Sequence, residues 1–271
     1  RYLKKELSLD IQDVPCPELQ THLDRLDPDS VALVYSSSHT GNPASMFGHT
    51  FLRINSRKTQ DGKKKRADLL EWGIGFAANV PVDTNGLEFA VSGVFGGFES
   101  QFSLLPYYHK VNEYVNAESR DLWEYNLTLS REQTLSLVRH IWEIETNSHF
   151  FYYFFDENCS YQLMTVLEVA RPDWILSDFG PHVIPAETVK RVVSVPGAVE
   201  SVNFRPSLKR KAIERYSLLS DEERQRFNAL LSGTATPNEE DPAPVLESVS
   251  TFLQFRKQLN DGPLSPEDSR T

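Results

Sequence analysis

Cysteine is nearly missing from this chain, with two in 271 residues, at positions 16 and 159. Two thiols make no disulfide framework, although Cys16 and Cys159 can in principle pair, which would remove either as a nucleophile. Apolar runs are short, and none approaches the roughly 18 residues that a membrane-spanning helix takes. The chain opens at Arg1, with neither a methionine nor a signal-like apolar segment, and so reads as a mature or excised piece. Gly93, Gly96 and Gly97 fit neither the phosphate-loop nor the dinucleotide spacing, and no Cys-x-x-Cys or His-Glu-x-x-His occurs. No cofactor is therefore expected. Positive charge is also short: the net charge is -10, which excludes a general nucleic-acid binder and makes any basic function local.

Aromatic residues are plentiful at 11%, so most of the chain has the means to fold around a core. Residues 1–30 read as a leader segment containing a short amphipathic helix over 19–26. The body, over 31–200, opens on a strand at 31–35. A polar loop follows, Ser36-Ser37-Ser38-His39-Thr40-Gly41-Asn42-Pro43-Ala44-Ser45, and it leads into a second strand beginning at His49. Basic residues from Arg57 to Arg66 flank Asp61-Gly62, the signature of a hairpin tip. Such a tip is either simply solvated or a contact for anionic lipid head groups.

A third strand is expected at 69–76 and another at 122–127. Residues 86–108, rich in Phe, Gly and Leu, read as strands or as an apolar lid. Ser130 with Gln133 and Ser220 with Glu223 each form a capping box at a helix start. Residues 201–232 read as a helical appendage, and 233–271 as a linker-like tail with a short helix over 249–259.

The most reactive arrangement lies at Tyr152-Tyr153-Phe154-Phe155-Asp156-Glu157-Asn158-Cys159-Ser160-Tyr161. Asn158 is a good N-cap, and Leu163, Val166, Leu167 and Ala170 recur at helical spacing after it. Cys159 then sits in the first turn of a helix, where unpaired N–H groups and the helix dipole favour a thiolate. Packing under the helix is the alternative use for a cysteine.

A thiol nucleophile needs a base. His39 and His49 lie in the stretch able to approach the helix end, and a strand holds His49 more rigidly than a loop holds His39. Glu71 or Asn79 would orient the imidazole. An oxyanion would meet the Cys159 N–H, with Ser38, Asn42, Ser45 and Asn158 as the candidate oxyanion or substrate-positioning residues. A metal site built from His39, His49, Glu157 and Cys159 is a further option, without a recognised ligand spacing.

A histidine opening a strand, followed much later by Asn158-Cys159 opening a helix, resembles the circularly permuted papain-like enzymes, including NlpC-type peptidases and lecithin:retinol acyltransferases. Two longer stretches, Asn42-Pro43-Ala44-Ser45-Met46-Phe47-Gly48-His49-Thr50-Phe51-Leu52-Arg53 and Phe155-Asp156-Glu157-Asn158-Cys159-Ser160-Tyr161, are similar to the periplasmic domain of the bacterial lipoprotein N-acylation transferases. Pro106-Tyr107-Tyr108 and Asp121-Leu122-Trp123-Glu124-Tyr125 fit the same family. The resemblance implies an α+β, permuted papain-like domain in the periplasm, with an antiparallel sheet against the cysteine helix.

It also implies transfer of an acyl chain from a phospholipid to the terminal amine of a lipoprotein through a thioester. Cys159 is then the nucleophile and His49 the base, with Glu71 a candidate third member. Phe98, Phe102, Tyr107, Tyr108 and Phe154 are candidates for an acyl pocket at a membrane surface. The rival readings are a cysteine peptidase or amidase on cell-wall peptides, and a non-catalytic module that binds lipid or lipoprotein.

Overall fold

The computed structural model describes residues 7–8, 15–38, 46–57, 70–81 and 83–261. His39, Asn42, Ser45 and the Asp61-Gly62 turn lie outside them. Strands β1 (Pro28–Ser36), β2 (His49–Ser56), β3 (Trp72–Ala78), β4 (Phe98–Pro106), β5 (Leu122–Leu127), β6 (Phe150–Tyr152) and β7 (Val199–Arg205) form one sheet in the order β6-β4-β3-β2-β1-β5-β7. Every neighbouring pair in it is antiparallel. Helix α1 (Pro17–Leu26) precedes the sheet, and α2 (Gly86–Phe95) joins β3 to β4. Helix α3 (Tyr107–Val111) runs on into a π-helical stretch (Asn112–Ala117) before β5. Helices α4 (Arg131–Asn147) and α5 (Cys159–Ala170) follow, then α6 (Pro185–Ser194), α7 (Leu208–Ser217), α8 (Asp221–Ser232) and α9 (Ala243–Asp261). The protein is α+β.

Alternation assigns the two faces of the sheet. In β2, Leu52 and Ile54 join Val31, Leu33, Ile74 and Phe76 in the larger core, under the apolar stripes of α4 and α5. The other parity, Phe51 with Val34 and Leu122, packs against Tyr107, Val111, Tyr114 and Val115 from α3 and the π-helical stretch. Helix α4 starts at the Ser130–Gln133 capping box, as its sequence dictates.

Arg53 also points to this second face and is 1% exposed. Its guanidinium donates to Glu124 at 2.6 Å and to Asn55 at 2.9 Å, and Tyr107 donates its hydroxyl to the same carboxylate at 2.6 Å. Burial alone would raise Glu124, but Arg53, the Tyr107 hydroxyl and Arg205 hold it below the usual carboxylate range. A buried charge is tolerable only with such partners.

Several elements differ from their sequence readings. Residues 86–95 form a helix, because Asn85 caps it by accepting from the N–H groups of Leu87 and Glu88, and Gly96 ends it in the left-handed conformation at φ 73°. Strand β7 extends past residue 200 and pairs with β5, so the sheet continues into the segment read as an appendage. The tail is more than a linker. Its helix spans Ala243–Asp261, and Val245 and Val249 bury themselves against Leu219 and Phe227. Its apolar positions are spread among charged ones, so composition understated the helix.

Replacing Arg53 by Met leaves Glu124 buried without its strongest partner. We expect a loss of about 3–5 kcal/mol in urea unfolding; a loss below about 1 kcal/mol would show that Tyr107 and Arg205 suffice.

Candidate active site

Strands β2 and β3 pair over three positions, from Leu52↔Ile74 to Ile54↔Trp72. Past Ile74, β3 pairs with β4 alone, and β2 continues toward its start at His49 beside β1. A cleft of about 210 Å³ opens where the β2–β3 pairing stops, lined by His49 on one side and by Gly75, Phe76, Ala77 and Ala78 on the other. Helix α5 meets the sheet here. Thr50 Oγ1 and Ser160 Oγ stand 2.9 Å apart in a buried hydrogen bond, fastening the histidine strand to the first turn of the cysteine helix.

Cys159 Sγ stands 3.2 Å from His49 Nδ1. Both cysteines are free, so the Cys16–Cys159 pairing is not made. Asn158 caps α5 as its type suggested. Its Oδ1 accepts from the N–H groups of Ser160 at 3.0 Å and Tyr161 at 3.3 Å, while its Nδ2 donates to the carbonyls of Phe154 and Val183. The side chain is committed to shaping the turn and is not an oxyanion donor. Gly48, at φ 91°, sets the entry to β2. A Cβ there would stand 2.7 Å from Tyr35 Cε2 and 2.9 Å from the Ser36 carbonyl oxygen, so glycine alone fits the approach that delivers His49.

The electrostatics reverse one sequence expectation. Burial pushes the Cys159 thiol above its ordinary value, and the hydroxyls of Ser160 and Tyr152 and the backbone at Thr50 and Ser160 offset this only in part. Burial, together with the Lys110 and Arg120 cations, lowers His49 to about 3. The resting pair is a neutral thiol beside a neutral imidazole. The helix start does offer donors, but removal of water from the sulfur outweighs them.

Glu71 does not orient His49. Its Oε2 accepts from the Ser56 N–H at 2.7 Å, at the opposite end of β2 from His49, about 24 Å along the strand at ~3.4 Å per residue. Asn79 is exposed past the end of β3. Among the described residues no carboxylate is hydrogen-bonded to His49. Its ring is held by aromatic neighbours, with centroids 5.6 Å from Tyr114 and 6.3 Å from Phe51. Ser38 is exposed just beyond the Ser36 that pairs with His49. Among the described residues no group of three or more His, Cys, Asp or Glu is placed to hold a metal ion.

Of the five acyl-pocket candidates, Phe98 and Phe154 line the cleft. Phe102 faces the larger core against Phe76, with centroids 4.9 Å apart. Tyr107 is buried in the second core with its hydroxyl on Glu124, and Tyr108 is exposed beside His109. Phe89 and Val80 complete the apolar lining of the cleft, and Lys110, Glu113 and Glu118 supply a polar one. Tyr152 also lines the cleft and places its hydroxyl on Cys159. Sequence reading passed over it as one aromatic among several. Its place in a three-residue edge strand is set by pairing with Phe98, which no local pattern announces.

The Lnb N-terminal periplasmic domain, as a family model, matches residues 18–195. No curated protein and no solved structure matches the chain.

Two outcomes follow from this geometry. Iodoacetamide should label Cys159 slowly at pH 7, because the thiol is 4% exposed and protonated, and the rate should climb as pH passes 9. A plateau of fast labelling between pH 5 and 7, mapped by peptide mass, would instead reveal a resting thiolate–imidazolium pair. Gly48→Ala should cost about 1–3 kcal/mol in thermal or urea unfolding, through φ strain and the clash with Tyr35.

Proposed function

The chain belongs to the family of Lnb N-terminal periplasmic domains, and from that premise we propose that it is a cysteine-dependent N-acyltransferase of lipoprotein maturation in the cell envelope. In this reading it moves a fatty acyl chain from a phospholipid to the N-terminal amine of a bacterial lipoprotein. The observation that carries the proposal is the Cys159 sulfur at 3.2 Å from His49 Nδ1, with His49 lining a cleft whose walls include several aromatic rings. The order of elements, a histidine at the head of a strand and then a cysteine at the head of a helix, supports a circularly permuted, papain-like arrangement of the NlpC type.

In the proposed reaction, His49 Nδ1 takes the thiol proton as Sγ attacks the ester carbonyl, so neither isolated charge has to exist in the dry cleft beforehand. The oxyanion accepts from the Tyr152 hydroxyl and from the Cys159 N–H, the N–H groups of Ser160 and Tyr161 being held by Asn158 Oδ1. The intermediate collapses, His49 returns the proton to the departing lysophospholipid, and the acyl chain remains on Sγ as a thioester. The neutral α-amine of the lipoprotein then attacks the thioester carbonyl. As the amide forms, the amine's proton passes to His49 and on to the departing sulfur, restoring the free thiol.

The apolar surroundings favour a lipid over a cell-wall peptide. Helix α2 borders the cleft through Phe89 and Gly93, and its outward side carries Leu87 at 77% and Phe95 at 76% exposure. Val91 and Val94 are exposed on the same helix, so an uncovered apolar face adjoins the site. Such a face suits the membrane surface where donor and acceptor both reside. Among the described residues no helix is long and apolar enough to cross a membrane.

Incubation with phospholipid should add the mass of one acyl chain to the intact protein, and Cys159→Ala should abolish both the adduct and the transfer. Tyr152→Phe should keep the fold and slow acylation by about 10²–10³-fold, the usual cost of one oxyanion donor. Full transfer by the thiol-free variant would exclude the mechanism, and hydrolysis of an amide bond in cell-wall peptide to a free carboxylate and amine, without lipid, would favour the hydrolytic rival.

A further inference from the structure

The polar lining of the cleft is built around one lysine. Lys110 stands on α3, and its stem lies across β3 where that strand has no side chains. A Cβ on Gly73 would come within 3.3 Å of Lys110 Cγ, and one on Gly75 within 3.9 Å of Cε. Gly73 and Gly75 share a face of β3, so the two glycines form a track that carries the side chain toward the cleft.

The ammonium ends 5.5 Å from the centroid of the Tyr114 ring, the same ring that His49 approaches to 5.6 Å. Cation and imidazole are therefore neighbours across one aromatic ring. The Lys110 side chain is 12% exposed, and its Nζ lies 3.3 Å from Glu113 Oε2, which engages one of three available hydrogens. The other nearby cation, Arg120, is 1% exposed and is committed to the Ser36 and Ser37 carbonyls and to Glu118.

Resting on the acyltransferase reading, we propose that Lys110 and Glu113 receive the head group of a zwitterionic phospholipid, the phosphate on the Lys110 ammonium and the amine on the Glu113 carboxylate. The track places a partly desolvated cation beside the reacting pair, where a phosphodiester lies next to the scissile ester of a glycerophospholipid. Charge balance selects the zwitterion. Lys110, Glu113, Glu118 and Arg120 sum to zero here, so a net-anionic head group that draws Lys110 away leaves Glu113 unpaired. A zwitterion exchanges one ion pair for two. The overall charge of -10 opposes an anionic ligand in the same direction.

The test uses the chain in neutral-detergent micelles containing phosphatidylethanolamine, phosphatidylglycerol or diacylglycerol with identical acyl chains, reading the Cys159 adduct by intact mass. Wild type should acylate fastest from phosphatidylethanolamine. Lys110→Met should lower that rate about tenfold relative to the rate from diacylglycerol, the worth of a charge-assisted hydrogen bond. Lys110→Arg, which keeps the charge and the stem, should retain the preference, and Glu113→Gln should narrow the gap between phosphatidylethanolamine and phosphatidylglycerol. Adducts from all three lipids at rates that Lys110→Met changes equally would overturn the head-group assignment alone. Adducts from none of them would overturn the acyltransferase reading beneath it.

Discussion

The site depends on where an antiparallel ladder stops. Strands β2 and β3 exchange hydrogen bonds only between Leu52–Ile54 and Trp72–Ile74. Had the pairing continued to the start of β2, backbone and side chains would have closed the space that now separates His49 from Ala77 and Ala78. Because it stops, the sheet has an internal edge, and the first turn of α5 meets it. The buried Thr50–Ser160 hydrogen bond then locks strand to helix. Two hydroxyls withdrawn from water gain more from each other than from any alternative partner nearby, so the junction that sets the distance from Cys159 to His49 is stiff.

Stiffness on the opposite face has a different origin. Arg53, Glu124, Tyr107 and Asn55 form a buried polar network whose members satisfy one another. It ties β2 to β5 and to the start of α3, the helix that supplies Lys110. The neighbouring Tyr114 is walled in by His49, Phe51, Arg120 and Lys110. Among the described residues, aromatic rings and the Lys110 and Arg120 cations surround the imidazole, and no carboxylate is hydrogen-bonded to it. That environment keeps His49 neutral, and the same dryness keeps Cys159 a thiol. In the proposed reaction, such a neutral pair lets the sulfur attack as the proton moves to the imidazole.

The cleft mixes apolar and charged side chains. Phe89, Phe98 and Phe154 line it together with Lys110, Glu113 and Glu118, and His49 shares the lining. The exposed apolar face of α2 extends the apolar lining outward to the surface. In the proposed reading, an amphiphile laid in this groove brings its ester beside His49, which lines it.

Local chemistry alone determined a good part of this. Asn158 caps α5 because its side chain reaches two N–H groups regardless of what surrounds it, and the capping boxes at Ser130 and Ser220 form for the same short-range reason. The strand composition of β1, the alternation in β2 and β5 and the stripe of α5 were equally legible; the pairing of Cys159 with His49 came from the order of the two motifs and the family they resemble, and the structure brings the two side chains to 3.2 Å. What the sequence could not decide were matters of distance across the fold. Glu71 immediately precedes β3, the strand beside β2, but antiparallel pairing carries it to the far end of β2 from His49. Tyr152 reaches the sulfur, and Lys110 the cleft, only because strands and helices distant in sequence converge. The protonation of the cysteine was decided the same way, since the helix start is written locally but the exclusion of water is produced by everything packed around it.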